Sequence, residues 1–230
     1  MGRPEPAEAM PQTVEALSPV RTVIPAERVA EGVIESLDVG RLVPGQRLVE
    51  ADLCLRYGVG RGPVREALQR LANEGVVEIS RNKGARIREI SVVDAIRTLE
   101  VTELLSGLVA RNAAGRIGRP GAAATVLGVL EGLTAAEAEA DDGPFVQARR
   151  RFYAALLRIG ANQELLRIVP MVQVHVMRAQ FNLNRTQRRL IADYRAIGEA
   201  VLAGDASSAE QAARDHVRRV RATLEAIKTE

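Results

Sequence analysis

Residues 58–87 read GVGRGPVREALQRLANEGVVEISRNKGARI, and this stretch decides the fold. Val64, Leu68 and Leu71 recur at i, i+4 and i+7, which sets them on one face of a helix beginning near Arg61; Arg61, Arg65 and Gln69 fall on another face. One face packs and the other reaches outward. Gly75 ends the helix, after which VVEIS and ARIREI alternate apolar and polar residues about the turn RNKG, the pattern of a two-stranded ribbon with a basic tip. Working backwards, Gly58 stops a short helix in VEADLCLRYGVG, and RLVPGQRL carries a Pro-Gly turn. Before it, PAERVAEGVIESLDVG places Val29, Val33, Ile34 and Leu37 on one helical face behind a proline in the first turn. Three helices and a ribbon, in that order, make a winged helix-turn-helix over residues 21–90. Residues 1–20, rich in Pro, Ala and Glu without sustained periodicity, predict a flexible arm.

Beyond Ile90 the period is helical throughout. SVVDAIRTLEVTELLSGLVARNAAGR opens on a Ser cap, and further helices are predicted near 120–140, 144–159, 162–183, 186–203 and 206–228. No strand signal interrupts them, so residues 91–230 predict an all-α helical bundle and the chain as a whole is mainly α. Composition agrees: three Phe, three Tyr and no Trp are too few aromatics for a sandwich or barrel. The single cysteine, Cys54, forms no internal disulfide and predicts a small core residue in a reducing cytoplasm. No apolar run approaches ~18 residues, which argues against a membrane span, and the N-terminus lacks the apolar run of a signal peptide. A net charge of +3 decides nothing about partners, since many enzymes are as basic. Placement decides.

Duplex DNA offers regularly spaced phosphates and, in its major groove, guanine O6 and N7 acceptors that fit the fork of an arginine. Arg61 and Arg65 begin the second helix of the helix-turn-helix, where base-reading residues lie. Arg81, Asn82 and Lys83 at the ribbon tip suit the adjoining minor groove, with Gly84 permitting close approach of the backbone. The bland alternative is a solvated basic face. The ordered arrangement of turn, helix, turn, basic helix and basic ribbon favours DNA.

PGQRLVEADLCLRYGVGRGPVREALQRLANEGVVEISRNKGARI resembles the winged-helix domain of GntR-family transcription regulators. The family pattern has a Pro-Gly turn, Leu-x-Glu, Ser-Arg-Thr-Pro-Val-Arg-Glu-Ala-Leu, Gly-Leu-Val and an Asn-x-Gly tip. Arg61, Pro63, Val64, Arg65, Glu66, Ala67 and Leu68 match it, while Gly60 and Gly62 stand where the family has Ser and Thr. The resemblance implies DNA contacts at Arg61, Arg65, Arg81, Asn82, Lys83 and Gly84; the loss of two hydroxyls implies altered operator affinity or preference.

The helical part is similar to the FCD effector-binding domain of the FadR-type subgroup, and the two resemblances cover about residues 21 to 230. Many members of that subgroup hold a divalent metal through an Asp-x-x-x-His pair and two later histidines. Position by position, Arg149 stands for the aspartate, Tyr153 for the first histidine and Tyr194 for the second, and His216 alone keeps its identity. One imidazole, two phenols and a guanidinium are a poor cation site, so no structural metal or other cofactor is expected. His175 lies between them in sequence and is a further candidate to line the cavity. Thr102 and Ser106 replace an arginine and a glutamate that many members carry on the first helix of the domain. A buried arginine needs either an internal carboxylate or an anionic ligand; coincidence with the family's effector cavity favours the ligand. The candidate effector residues are therefore Thr102, Ser106, Arg149, Tyr153, His175, Tyr194 and His216.

Together these observations predict a cytoplasmic, homodimeric transcription regulator, expected to be a repressor, acting on a double-stranded inverted-repeat operator and modulated by a small anionic metabolite such as an organic carboxylate. Two other readings stand beside it. One is a regulator whose bundle serves only for dimerisation; the other is a helical-bundle enzyme with an appended DNA-binding domain. The second lacks a metal constellation, a phosphate loop or a nucleophile and base pair, so no enzymatic activity is expected.

Overall fold

The computed structural model describes residues 24–82, 84–139, 141–169, 181, 183 and 188–229. The chain opens with α1 (Pro25–Asp38), β1 (Arg47–Leu48), α2 (Glu50–Tyr57), α3 (Arg61–Asn73), β2 (Val77–Ser80) and β3 (Gly84–Ile87). It continues with α4 (Val92–Ala114), α5 (Ala122–Glu137), α6 (Asp142–Gly160), α7 (Gln163–Ile168), α8 (Ile191–Leu202) and α9 (Ala206–Thr229). The predicted winged helix-turn-helix and helical bundle are both present. The predicted helix at 162–183 falls largely outside the described residues, as do the N-terminal arm, Lys83 and His175.

The apolar stripe of α3 does what its spacing requires. Val64, Ala67, Leu68 and Leu71 are buried against Val29, Val33 and Leu37 of α1, and α2 ends on Gly58 with φ +62, a left-handed cap that favours glycine. The ribbon acquires a third strand that was not foreseen. β1 pairs antiparallel with β3, Arg47 opposite Arg86 and Leu48 opposite Ala85, so the sheet runs β1-β3-β2. Two residues show no alternation to detect; they are strand because the Pro44-Gly45 turn delivers them to the open edge of β3. There the Ile87 N–H donates to the Gln46 carbonyl at 2.8 Å and the Gly45 N–H to the Ile87 carbonyl at 2.9 Å.

In the bundle, the long helices α4 and α9 lie side by side. Gly107 makes the approach possible: a β-carbon there would come within 2.8 Å of the Arg214 side chain. Along the same seam Glu103, 6 % exposed, accepts hydrogen bonds from Arg214, Arg218 and Arg221 at 2.9–3.2 Å. Burial works against the charged form of Glu103, but the hydrogen bonds from Arg218 and Arg214 outweigh it and hold the carboxyl below its usual range. A carboxyl with a depressed folded value stabilises fully above its unfolded pKa of about 4.3 and loses that contribution as pH falls through the folded value. Glu103→Gln is therefore expected to cost about 3 kcal/mol at neutral pH, the lower end for a broken buried pair because the arginines are partly hydrated. The gap in thermal stability from the unaltered protein should close in acid; a pH-independent gap would mean that packing rather than charge holds the seam.

The two units share a core. Ala95 and Leu99 of α4 and Val217, Val220 and Leu224 of α9 are buried with the α1–α3 residues in one apolar cluster, and Gln147 of α6 donates to Glu35 of α1 at 2.8 Å. A second cluster occupies the middle of the bundle, including Val109, Phe145, Phe152, Leu156, Tyr194, Ile197 and Ala213.

Candidate functional site

Two sites emerge, one in each unit. In the first, the α2–α3 turn and the ribbon present the basic residues. Arg61, Arg65, Arg81 and Asn82 are all exposed, and Gly84 has φ +73, a conformation that favours glycine at the root of the tip. Gly60 caps α3 without a side-chain hydrogen bond, the structural consequence of the missing hydroxyl. Arg65 is not a loose cation: its Nε donates to both carboxylate oxygens of Glu50 at the start of α2, at 3.1 and 3.0 Å, while the side chain remains 65 % exposed. Glu50 opens α2 and was not singled out from sequence; nothing in linear spacing links residues 50 and 65.

The second site forms where α6, α8 and α9 meet. On α6, Phe145, Arg149 and Phe152 follow at i, i+4 and i+7 and are all completely buried. Tyr194 of α8 packs onto that stripe, with ring centroids 6.1 Å from Phe145 and 5.6 Å from Phe152, edge to face in both cases. Tyr153, next to Phe152 on α6, lies 6.0 Å from Tyr194, and the His216 ring of α9 lies 4.6 Å from Tyr194. Four of the predicted effector residues thus fall in one region of the bundle, Arg149, Tyr194 and His216 buried and Tyr153 half-buried beside Tyr194.

Thr102 and Ser106 do not join it through hydrogen bonds among the described residues. The Thr102 hydroxyl donates to the Thr98 carbonyl at 2.7 Å within its own helix. Both residues are half-buried on α4.

Sequence reasoning missed Asp193. Its carboxylate accepts from His216 Nδ1 at 3.0 Å and takes a fork from Arg219, Nε to Oδ2 at 2.9 Å and Nη2 to Oδ1 at 2.8 Å. Burial pushes this carboxyl up, but hydrogen bonds from His216 and Arg219 prevail and hold it below the usual carboxylate range. The pairing fixes the orientation of the His216 ring. The i, i+3 spacing of His216 and Arg219 on α9 was visible in sequence, but not the aspartate that receives both.

These donors do not suit a divalent cation. Asp193 has both oxygens engaged by cationic or ring donors, His216 supplies one imidazole, and the positions nearest them are phenols and a guanidinium. No group of three or more His, Cys, Asp or Glu able to hold a metal ion occurs among the described residues.

The family model described as "Bacterial regulatory proteins, gntR family" matches residues 25–87, and that of the FCD domain matches residues 97–219. The chain belongs to the GntR family of regulators that carry an FCD domain. It is a DNA-binding transcription regulator and not an enzyme. Among GntR relatives it is 28 % identical over 199 residues to the "Probable D-xylose utilization operon transcriptional repressor" of Paenarthrobacter nicotinovorans, covering 86 % of this chain and 87 % of that one. It is 33 % identical over 76 residues to the HTH-type transcriptional repressor RspR of Escherichia coli K12, a match spanning 33 % of each chain. The fold is that of E. coli McbR/YncC, with TM-score 0.77 and 21 % identity over 90 % of this chain and 99 % of the other. A GntR regulator from Rhodococcus sp. RHA1 also shares it, with TM-score 0.68 and 23 % identity over 87 % and 97 %. Among the described residues no helix is long and apolar enough to cross a membrane.

Proposed function

We propose that this GntR regulator is a cytoplasmic homodimeric repressor that leaves an inverted-repeat operator when a small organic carboxylate, or a chemically similar anion, enters the Arg149 cluster. The observation that carries the ligand reading is the burial of Arg149, Tyr194 and His216 in the FCD bundle, with half-buried Tyr153 beside Tyr194. A guanidinium has five donors, so it receives a ligand carboxylate bidentately while keeping protein acceptors. The tyrosine hydroxyls and the His216 ring then select among the ligand's other polar groups, and the Phe and Leu walls select for size. A ligand must favour one dimer geometry to act at all. Two helices offer a route: α6 carries Arg149 and, two residues earlier, the Gln147 that holds Glu35 of α1; α9 carries His216 beside Val217, which is buried in the DNA-binding core.

On the DNA side, the exposed arginines of α3 support major-groove reading, and exposed Arg81, Asn82 and Gly84 support contacts in the adjoining minor groove, to which the sequence adds Lys83. The test is binding to the protein's own upstream DNA in a salt titration, followed by release with a panel of small mono- and dicarboxylates. Arg65→Ala is expected to cost about 1–3 kcal/mol on the operator and to relax preference at the base it grips. Equal loss on random DNA would reassign Arg65 to a phosphate. Absence of salt-sensitive binding to the upstream region would overturn the operator reading.

The dimer reading rests on α4. Val93, Val101, Leu104 and Leu108 are 37–59 % exposed and fall on one face, turned away from the Glu103–Gly107 seam that packs against α9. A stripe of that kind on a long helix is the surface a second copy covers to build the two-fold that an inverted repeat requires.

A further inference from the structure

The helix α3 and the ribbon of β2 and β3 line opposite sides of one opening. Between them lies a cleft of about 470 Å³, with Arg65 and Gln69 of α3 on one wall and Gly84 of the ribbon on the other. If α3 enters a major groove and the ribbon tip the next minor groove, one sugar-phosphate strand separates the two and has to pass through this cleft. We propose that the cleft seats that strand and that Arg47, on β1, clamps one of its phosphates. The inference rests on the DNA-binding reading of α3 and the ribbon.

Arg47 lines the cleft and is exposed, with its Nη2 4.0 Å from where a β-carbon on Gly84 would sit. Charge balance singles it out. Arg65 is offset by Glu50 through both oxygens, and Arg86, directly across the β1–β3 pair from Arg47, is offset by Glu78 at 3.0 Å. Arg47 makes no ion pair or side-chain hydrogen bond among the described residues, so its charge is the one in the cleft left to meet an anion. The carboxylate in the same cleft, Glu50, is neutralised by Arg65 and does not repel a phosphate. Because β1 is held by its ladder to β3, the backbone of Arg47 is carried on sheet rather than on a loop. A phosphate contact carries no sequence information, which distinguishes Arg47 from Arg65.

Fluorescence anisotropy of the full chain on operator and random duplexes, across a salt series, tests the clamp. Arg47→Ala should weaken both duplexes by the same factor and reduce the slope of log K against log salt by about 0.9, one phosphate contact. Arg47→Lys should restore the slope. An unchanged slope, or a loss confined to the operator, would overturn the clamp. Should Arg47→Ala lose its fold by thermal denaturation, the comparison of Arg47→Gln with Arg47→Lys gives the same decision. Unaltered protein lacking salt-dependent binding to either duplex would instead sink the reading of α3 and the ribbon on which the clamp depends.

Discussion

An Arg149→Met protein is expected to stay on its operator at carboxylate concentrations that release the unaltered protein completely. Methionine keeps much of the aliphatic stem and removes the fork, so the Phe145–Tyr194–Phe152 packing has a substitute and the anion does not. Operator affinity without ligand should be unchanged, because Arg149 lies in the bundle rather than among the exposed arginines of α3 and the ribbon. Response to a ligand whose carboxylate is gripped bidentately should fall by at least roughly 100-fold in the concentration needed, matching a loss of about 3 kcal/mol for a charge-assisted pair. Release assays with the carboxylate panel, alongside ligand-induced thermal shifts, provide the measurement. Release by the same anion at the same concentration would show that Arg149 is a structural cation and that the effector sits elsewhere.

The second large effect concerns the α4 stripe. Replacing Leu104 and Leu108 together with Asp should convert the dimer to monomer in sedimentation experiments and weaken operator binding by roughly 10²–10⁴-fold, the advantage lost when two half-sites no longer bind as one. Both side chains are exposed in the single chain, 59 % and 37 %, so the fold of each subunit should survive. Full-length protein is the right material. Cutting at residue 91 would strip Ala95, Leu99, Val217, Val220 and Leu224 of the α1–α3 residues that bury them, and exposed core would confuse the association state. A Leu104→Asp/Leu108→Asp protein that remains dimeric would move the interface to another face.

Several parts of this protein were legible in its sequence. The i, i+4, i+7 stripe of Val64, Leu68 and Leu71 specifies both α3 and its buried face, because helical period alone determines which side chains share a side. The alignment of Arg149 with Phe145 and Phe152 along one buried face of α6 was equally local, one turn at a time. Relations between distant segments were not legible. That β1 exists follows from an open edge on β3; that Arg65 is paired follows from Glu50 fifteen residues away; that His216 is oriented follows from Asp193 on another helix. Buried Glu103 looked like any exposed acid within VTELLS, and only the side-by-side packing of α4 and α9 makes it the acceptor for three arginines. Sequence by itself determined the described long helices, the β2–β3 ribbon, their buried faces and the arginines, tyrosines and histidine of the two sites, since these depend on period and residue type. The tertiary structure alone decided which charges are offset and which are left to meet a partner, since ion pairing depends on distances between helices and strands that no local period encodes.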